Sequence, residues 1–179
     1  MFRQPEQRVL SAWHDNFRVF RADPFPVSAC RNETFTKELP METFTSRWGS
    51  WETGQIVGKG QGLFGEMTVS ADDVPKALER LEEGFAFVGL QEEWELSICL
   101  FHAKFGGPCL SVDFQNTRPT MGSQGSSVYD TSLLKGWTDE PDRQVYAKAK
   151  ELFEKDLLEY GISHETCKPC YHEAGLEMN

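Results

Sequence analysis

Basic residues are in short supply. Lysine and arginine number 18 against 28 aspartates and glutamates, a net charge of −10 over 179 residues. A pI near 4.9 speaks against nonspecific binding to nucleic acid or to an anionic membrane, because phosphate contacts need a basic surface. One small anion site built from a few well-placed groups remains compatible with that charge. Long apolar runs are also lacking, and none approaches the ~20 residues of a membrane helix. No secretory signal is visible either, since residues 1–20 are charged and broken by Pro5. No internal repeat is present. An apolar share of 39% and a charged share of 26% exclude a wholly disordered chain, and the length suits one domain rather than two. Five cysteines (Cys30, Cys99, Cys109, Cys167, Cys170) leave at least one unpaired and do not form two CxxC pairs, so their number fixes no compartment. Asn32-Glu33-Thr34 is an N-glycosylation sequon, a triplet common by chance that points toward the secretory route.

Phe2-Arg3 reads as the stump of a strand, and Pro5 suits the first turn of a helix. Leu10, Trp13, Phe17 and Phe20 recur at helical spacing, giving a helix over 5–20. Residues 21–40, with Pro24, Pro26 and Pro40, read as a connecting loop, and Met41 to Arg47 as a short helix. The glycine-rich stretch Gly49 to Gly65 reads as a loop. Ser70 and Asp73 have capping-box spacing, and Val74, Ala77, Leu78 and Leu81 then mark one helical face that ends at Gly84. Phe85 to Leu90 is a short continuous apolar run, as expected of a strand buried on both faces of a parallel sheet. Trp94, Ile98, Phe101 and Phe105 mark a second helix, closed by Gly106-Gly107-Pro108. Residues 109–136 read as an extended surface loop. Thr138 caps a third helix whose face is Tyr146, Ala149, Phe153, Leu157 and Tyr160, with Gly161 at its end. Helix–strand–helix order predicts the α/β class.

The opening segment carries the sharpest chemistry. Arg3 stands just before a helix start and Ser11 eight positions later; a guanidinium, free helical N–H groups and a hydroxyl so placed suit a phosphate clamp, although an arginine at such a junction is more commonly a solvated charge. Arg3-Gln4-Pro5-Glu6-Gln7-Arg8-Val9-Leu10-Ser11-Ala12-Trp13 resembles the 3′-phosphate motif of Golgi-type carbohydrate sulfotransferases, with Gln4 in place of the usual acid. Phe85-Ala-Phe-Val-Gly-Leu-Gln-Glu-Glu-Trp-Glu-Leu-Ser97 resembles a second motif of that family, from which Gln91 and Glu93 depart. Trp51-Glu52-Thr53-Gly54 stands where such proteins carry Gln-Thr followed shortly by Gly. Phe114 to Thr117 and the Asp142-to-Tyr146 pattern of the closing helix are further echoes.

The resemblance covers residues 1–160 and implies a P-loop-like sulfotransferase fold with a central parallel sheet. It implies a sulfotransferase-like domain at 1–162, followed by a Cys/His-containing tail at 163–179. It implies that Arg3 and Ser11 hold the 3′-phosphate of 3′-phosphoadenosine 5′-phosphosulfate (PAPS), the sulfuryl donor to a carbohydrate or related hydroxylated acceptor. A lumenal Golgi protein with an N-terminal membrane anchor is implied too, although this chain carries neither anchor nor signal.

The family's first strand, 5′-phosphosulfate loop and helix do not fit before Met1, so the chain reads as an N-terminally truncated, C-terminal part. A non-catalytic sulfotransferase-like module that has lost its donor loop is the alternative. Gly58-Lys-Gly-Gln-Gly62 matches no phosphate loop. His14, His102 and Glu92 are weighed as bases, and no catalytic residue is assigned. His164, Cys167, Cys170 and His172 crowd four potential ligands into nine residues, too tight for one zinc tetrahedron, so no metal is assigned. Glu79, Glu82, Glu83, Glu92, Glu93 and Glu95 read as solvated faces, and the acidic surplus makes polyanionic acceptors a poor match.

Overall fold

Seven helices and a few short connecting elements account for the architecture of the computed structural model, which describes residues 1–14, 19–20, 37–38, 40–59, 68–115 and 128–176. In chain order they are α1 (Pro5–Ala12), β1 (Val19–Phe20), β2 (Lys37–Glu38), α2 (Met41–Trp48), α3 (Trp51–Val57), α4 (Asp73–Gly84), α5 (Trp94–Phe105), α6 (Glu140–Tyr160) and α7 (Lys168–Glu173). Single 3₁₀ turns at Ser111–Phe114 and Thr131–Leu134 punctuate the stretch expected to be loop. Cys30, the sequon at Asn32 and the echo at Asn116-Thr117 lie outside the described residues.

The expected α/β fold with a central parallel sheet is not observed. Among the described residues the strands are β1 and β2, a two-residue antiparallel pair. Among the described residues Phe85 to Leu90 joins no sheet and finds a parallel partner only in Phe2, through Phe2 N–H to the Gly89 carbonyl (2.7 Å) and Gln91 N–H to the Phe2 carbonyl (2.8 Å). The physical reason is coverage. A strand of a parallel sheet needs neighbours and a packed layer on both faces, whereas Phe85 is 42% exposed. Only Val88 and Leu90 enter the core, and Phe87 packs on the ring edges of Phe101 and Phe105.

Two further expectations change. The first helix ends at Ala12 rather than near residue 20, and Val19 and Phe20 belong to β1. The glycine-rich stretch contains α3, whose N-terminal N–H groups are capped by side chains from α6. Gly58 then closes α3 at φ 79°, in the left-handed region that suits glycine. Gly49 matters for space: a Cβ there would sit 2.9 Å from the Thr45 carbonyl and 3.1 Å from the Trp137 ring.

Other elements fall where their patterns place them. In α4 the Asp73 carboxylate reaches back to the Ser70 N–H (2.6 Å), and Val74, Ala77 and Leu81 are buried. In α6 the cap is Asp139, not Thr138, because its side chain accepts from the Asp142 N–H. The main core gathers Phe2, Val57, Leu81, Leu90, Leu100, Val145, Phe153 and Tyr171 between α3, α4, α5, α6 and α7. A smaller core of Val9, Leu10, Phe44 and Leu134 seats α1 against α2, with Trp13, Trp48 and Trp137 at its edge.

Disulfides Cys99–Cys167 and Cys109–Cys170 tie the tail to α5 and the segment after it. Each closes a long loop, of 68 and 61 residues. With one bridge in place, the other closes only the short path through residues 99–109 and 167–170, so the pair is partly redundant. Replacing Cys109 and Cys170 by alanine should therefore cost about 3 kcal/mol, and replacing all four about 7 kcal/mol, on the loop-entropy relation. Urea denaturation of the three proteins checks this through their midpoints and slopes.

Candidate functional site

The start of α1 is already capped, which changes the expected clamp. Gln4 accepts from the Gln7 N–H through its side chain (2.8 Å). The Gln4 N–H goes to Glu92 Oε1 (2.8 Å), and the Arg3 N–H to Glu52 Oε1 (3.5 Å). The Gln4 amide thus occupies a helical N–H that the sequence reading left for a ligand, and carboxylates take the two N–H groups just before the helix. What remains is a flank of side chains. Gln7 and Ser11 are one turn apart on the same face of α1, with His14 just beyond.

Tyr129 lies across that flank. Gln7 grips its backbone twice, donating from Nε2 to the Tyr129 carbonyl (3.0 Å) and accepting the Tyr129 N–H at Oε1 (2.7 Å). The ring then stacks on His14 with centroids 4.9 Å apart and planes within 8°. The Arg3 guanidinium lies 5.4 Å from the same ring centre, within cation–π range. Arg3 and Ser11 are both half-buried. Sequence reasoning found Arg3 and Ser11 but missed Gln7 and Tyr129, because their link spans 122 positions.

Behind α1 lies a buried polar network. Arg8 Nη2 donates to the Trp48 carbonyl (3.0 Å), Asp142 (3.0 Å) and Asp139 (3.3 Å). Asp142, fully buried, also accepts the N–H groups of Glu52 (3.0 Å) and Thr53 (2.8 Å) and the Thr53 hydroxyl (2.6 Å). Asp139 accepts the Ser50 N–H (2.8 Å). Two carboxylates thus share one guanidinium and cap the starts of α3 and α6, where the helix dipoles favour negative charge. Burial and the nearby Asp142 carboxylate push the Asp139 carboxyl above its usual range. Glu52 sits at the edge of this network, 4.0 Å from Arg8 Nε, and burial holds its carboxyl up to about 8 despite that guanidinium.

The other candidates are placed elsewhere. Glu92 bridges the Gln4 N–H and the Tyr146 hydroxyl (3.3 Å), a structural brace between the chain start and α6. His102 contacts Asp113 (3.2 Å) on α5, beside a cavity of about 740 Å³ at the tail. Lys59 of the glycine-rich stretch pairs with Asp73 (2.6 Å). The tail sulfurs of Cys167 and Cys170 are in disulfides, and the described residues hold no cluster of three or more His, Cys, Asp or Glu able to ligate a metal. No family model, curated protein or solved structure matches the chain.

Asp142→Ala should destabilise the fold by about 4 kcal/mol, since it strands two helical N–H groups and the Thr53 hydroxyl in the interior and takes one of two carboxylates from Arg8. Chemical denaturation near neutral pH measures that loss. Glu52 generates a pH effect of known sign. Its folded value of about 8 lies above the ordinary 4.5, so the unfolded chain loses the proton first. Its contribution to stability is therefore complete at acid pH and declines from about 4.5 up to about 8. Melting curves across that window should show wild type falling relative to Glu52→Gln.

Proposed function

We propose that this chain supplies the 3′-phosphate-binding part of a PAPS-dependent sulfotransferase acting on a hydroxyl of a carbohydrate or related acceptor. The supporting observation is the bridge between Phe2 and Leu90, which sets the Arg3-to-Ser11 segment directly beside the Phe85-to-Ser97 segment, the two stretches that carry the resemblance. Arg3 and Ser11 fit a phosphate chemically, as a cation lying over the ring of Tyr129 and a hydroxyl donor two turns along α1. When bound, PAPS would supply the sulfuryl group for the acceptor hydroxyl, with adenosine 3′,5′-bisphosphate as the leaving group. The chain's own residues bind and orient: Arg3 neutralises charge, Ser11 donates a hydrogen bond, and Gln7 holds Tyr129 against both sides of the flank. No residue is assigned as the base.

Two disulfides favour an oxidising compartment, which accords with a Golgi lumenal setting. No helix among the described residues is long and apolar enough to cross a membrane. The charge of −10 favours neutral glycan acceptors over polyanionic ones. The alternative, a sulfotransferase-like binding module without catalysis, draws on the same anion site.

Calorimetry with adenosine 3′,5′-bisphosphate tests the reading. Wild type should bind it; Arg3→Ala should weaken binding about 10- to 100-fold and Ser11→Ala about 5-fold, as expected for charged and neutral hydrogen bonds. Adenosine 5′-monophosphate, lacking the 3′-phosphate, should bind weakly and respond little to either change. Equal response to both nucleotides would sink the assignment of Arg3 and Ser11.

A further inference from the structure

Glu52 faces two ways. Its Oε1 receives the backbone N–H of Arg3 (3.5 Å), the residue whose guanidinium holds the phosphate in the function proposed above. The same carboxyl borders the Arg8 network, at 4.0 Å from Arg8 Nε. Both Arg8 Nε and Glu52 Oε2 are buried without a hydrogen-bond partner among the described residues. An orphaned buried oxygen is far cheaper as part of a neutral carboxyl than of a carboxylate.

The surroundings make that cost specific. From the α1 side, Glu52 meets Arg3 and Arg8; from α6, Asp139, Asp142 and Tyr146; Glu92 approaches through its contact with Tyr146. Arg8 is the nearest cation, and Asp139, Asp142 and the Trp48 carbonyl already share it. Negative charge at Glu52 is therefore poorly compensated. A phosphate on Arg3 adds negative charge to the residue whose backbone N–H Glu52 receives, so ionisation of Glu52 and anion binding oppose each other.

We propose that Glu52 is a proton-linked positioning residue for the Arg3 anion site: the protein takes up a proton at Glu52 when the anion binds, and releases the anion as Glu52 ionises. The inference rests on the anion site proposed above. Its working range follows from burial, which holds the free protein's Glu52 carboxyl up to about 8. Binding raises that value further, and linkage requires the reciprocal loss of affinity as pH rises through it.

The experiment is calorimetry of adenosine 3′,5′-bisphosphate with the full chain at several pH values from about 7 to about 9, each in two buffers of different ionisation enthalpy. Wild type should take up a fraction of a proton near pH 8 and lose up to about tenfold in affinity per pH unit above it. Glu52→Gln should take up none and show a flat profile. Wild-type binding without pH dependence or proton uptake would overturn the inference and leave the Arg3 site standing. An unchanged profile in Glu52→Gln would likewise overturn it, by placing the proton elsewhere. Absence of binding at every pH would overturn the Arg3 reading and this inference with it. If Glu52→Gln does not fold, Glu52→Leu takes its place, with the same flat profile and absence of proton uptake expected.

Discussion

The guanidinium of Arg8 holds the molecule's parts in register. It leaves α1, reaches the carbonyl that ends α2, and meets the two aspartates that cap α3 and α6. Four helices thus take their relative positions from one side chain that is only 15% exposed. Such an arrangement contributes little net stability over an apolar isostere, yet removing a partner leaves charge stranded in the interior. It fixes geometry more than it adds energy. The flank of α1 that presents Ser11, Gln7 and Tyr129 is held in place as a consequence.

Elements with a local code were legible. The face of α4, its stop at Gly84, the extent of α5 and the Gly161 end of α6 follow from periodicity and capping chemistry within a single stretch of chain. Elements whose code is distant were not. α3 has glycines on both sides and no cap of its own, and it is helical because Asp142, ninety positions away, satisfies its first N–H groups. Phe85 to Leu90 has the composition of a buried strand, but strand character depends on neighbours, and among the described residues it gains only Phe2. The same logic separates Thr138 from Asp139: both are capping types, and contact with Arg8 and Ser50 selects the second.

The candidate site divides in the same way. Arg3 and Ser11 were visible because a short spacing relates them. Tyr129 and Gln7 were not, since one lies far down the chain and its grip is on backbone atoms that carry no residue signature. Glu52 entered only within an echo, Trp51-Glu52-Thr53-Gly54, with glutamate at the place of the family's glutamine. Burial gives that departure a physical sense, because a protonated carboxyl is close in shape and polarity to the amide it replaces.

The two disulfides also dictate a timetable. Cys99 and Cys109 are synthesised more than sixty residues ahead of their partners, so α5 and its following segment must persist as free thiols while α6 is made. During that interval any pairing with an earlier cysteine is premature and has to be undone. Cys167 and Cys170 then arrive three positions apart, close enough that a wrong first bond can pass from one to the other by exchange. Maturation of this protein is therefore expected to depend on an oxidising environment that also isomerises, with the native pairing completed only after most of the chain has emerged.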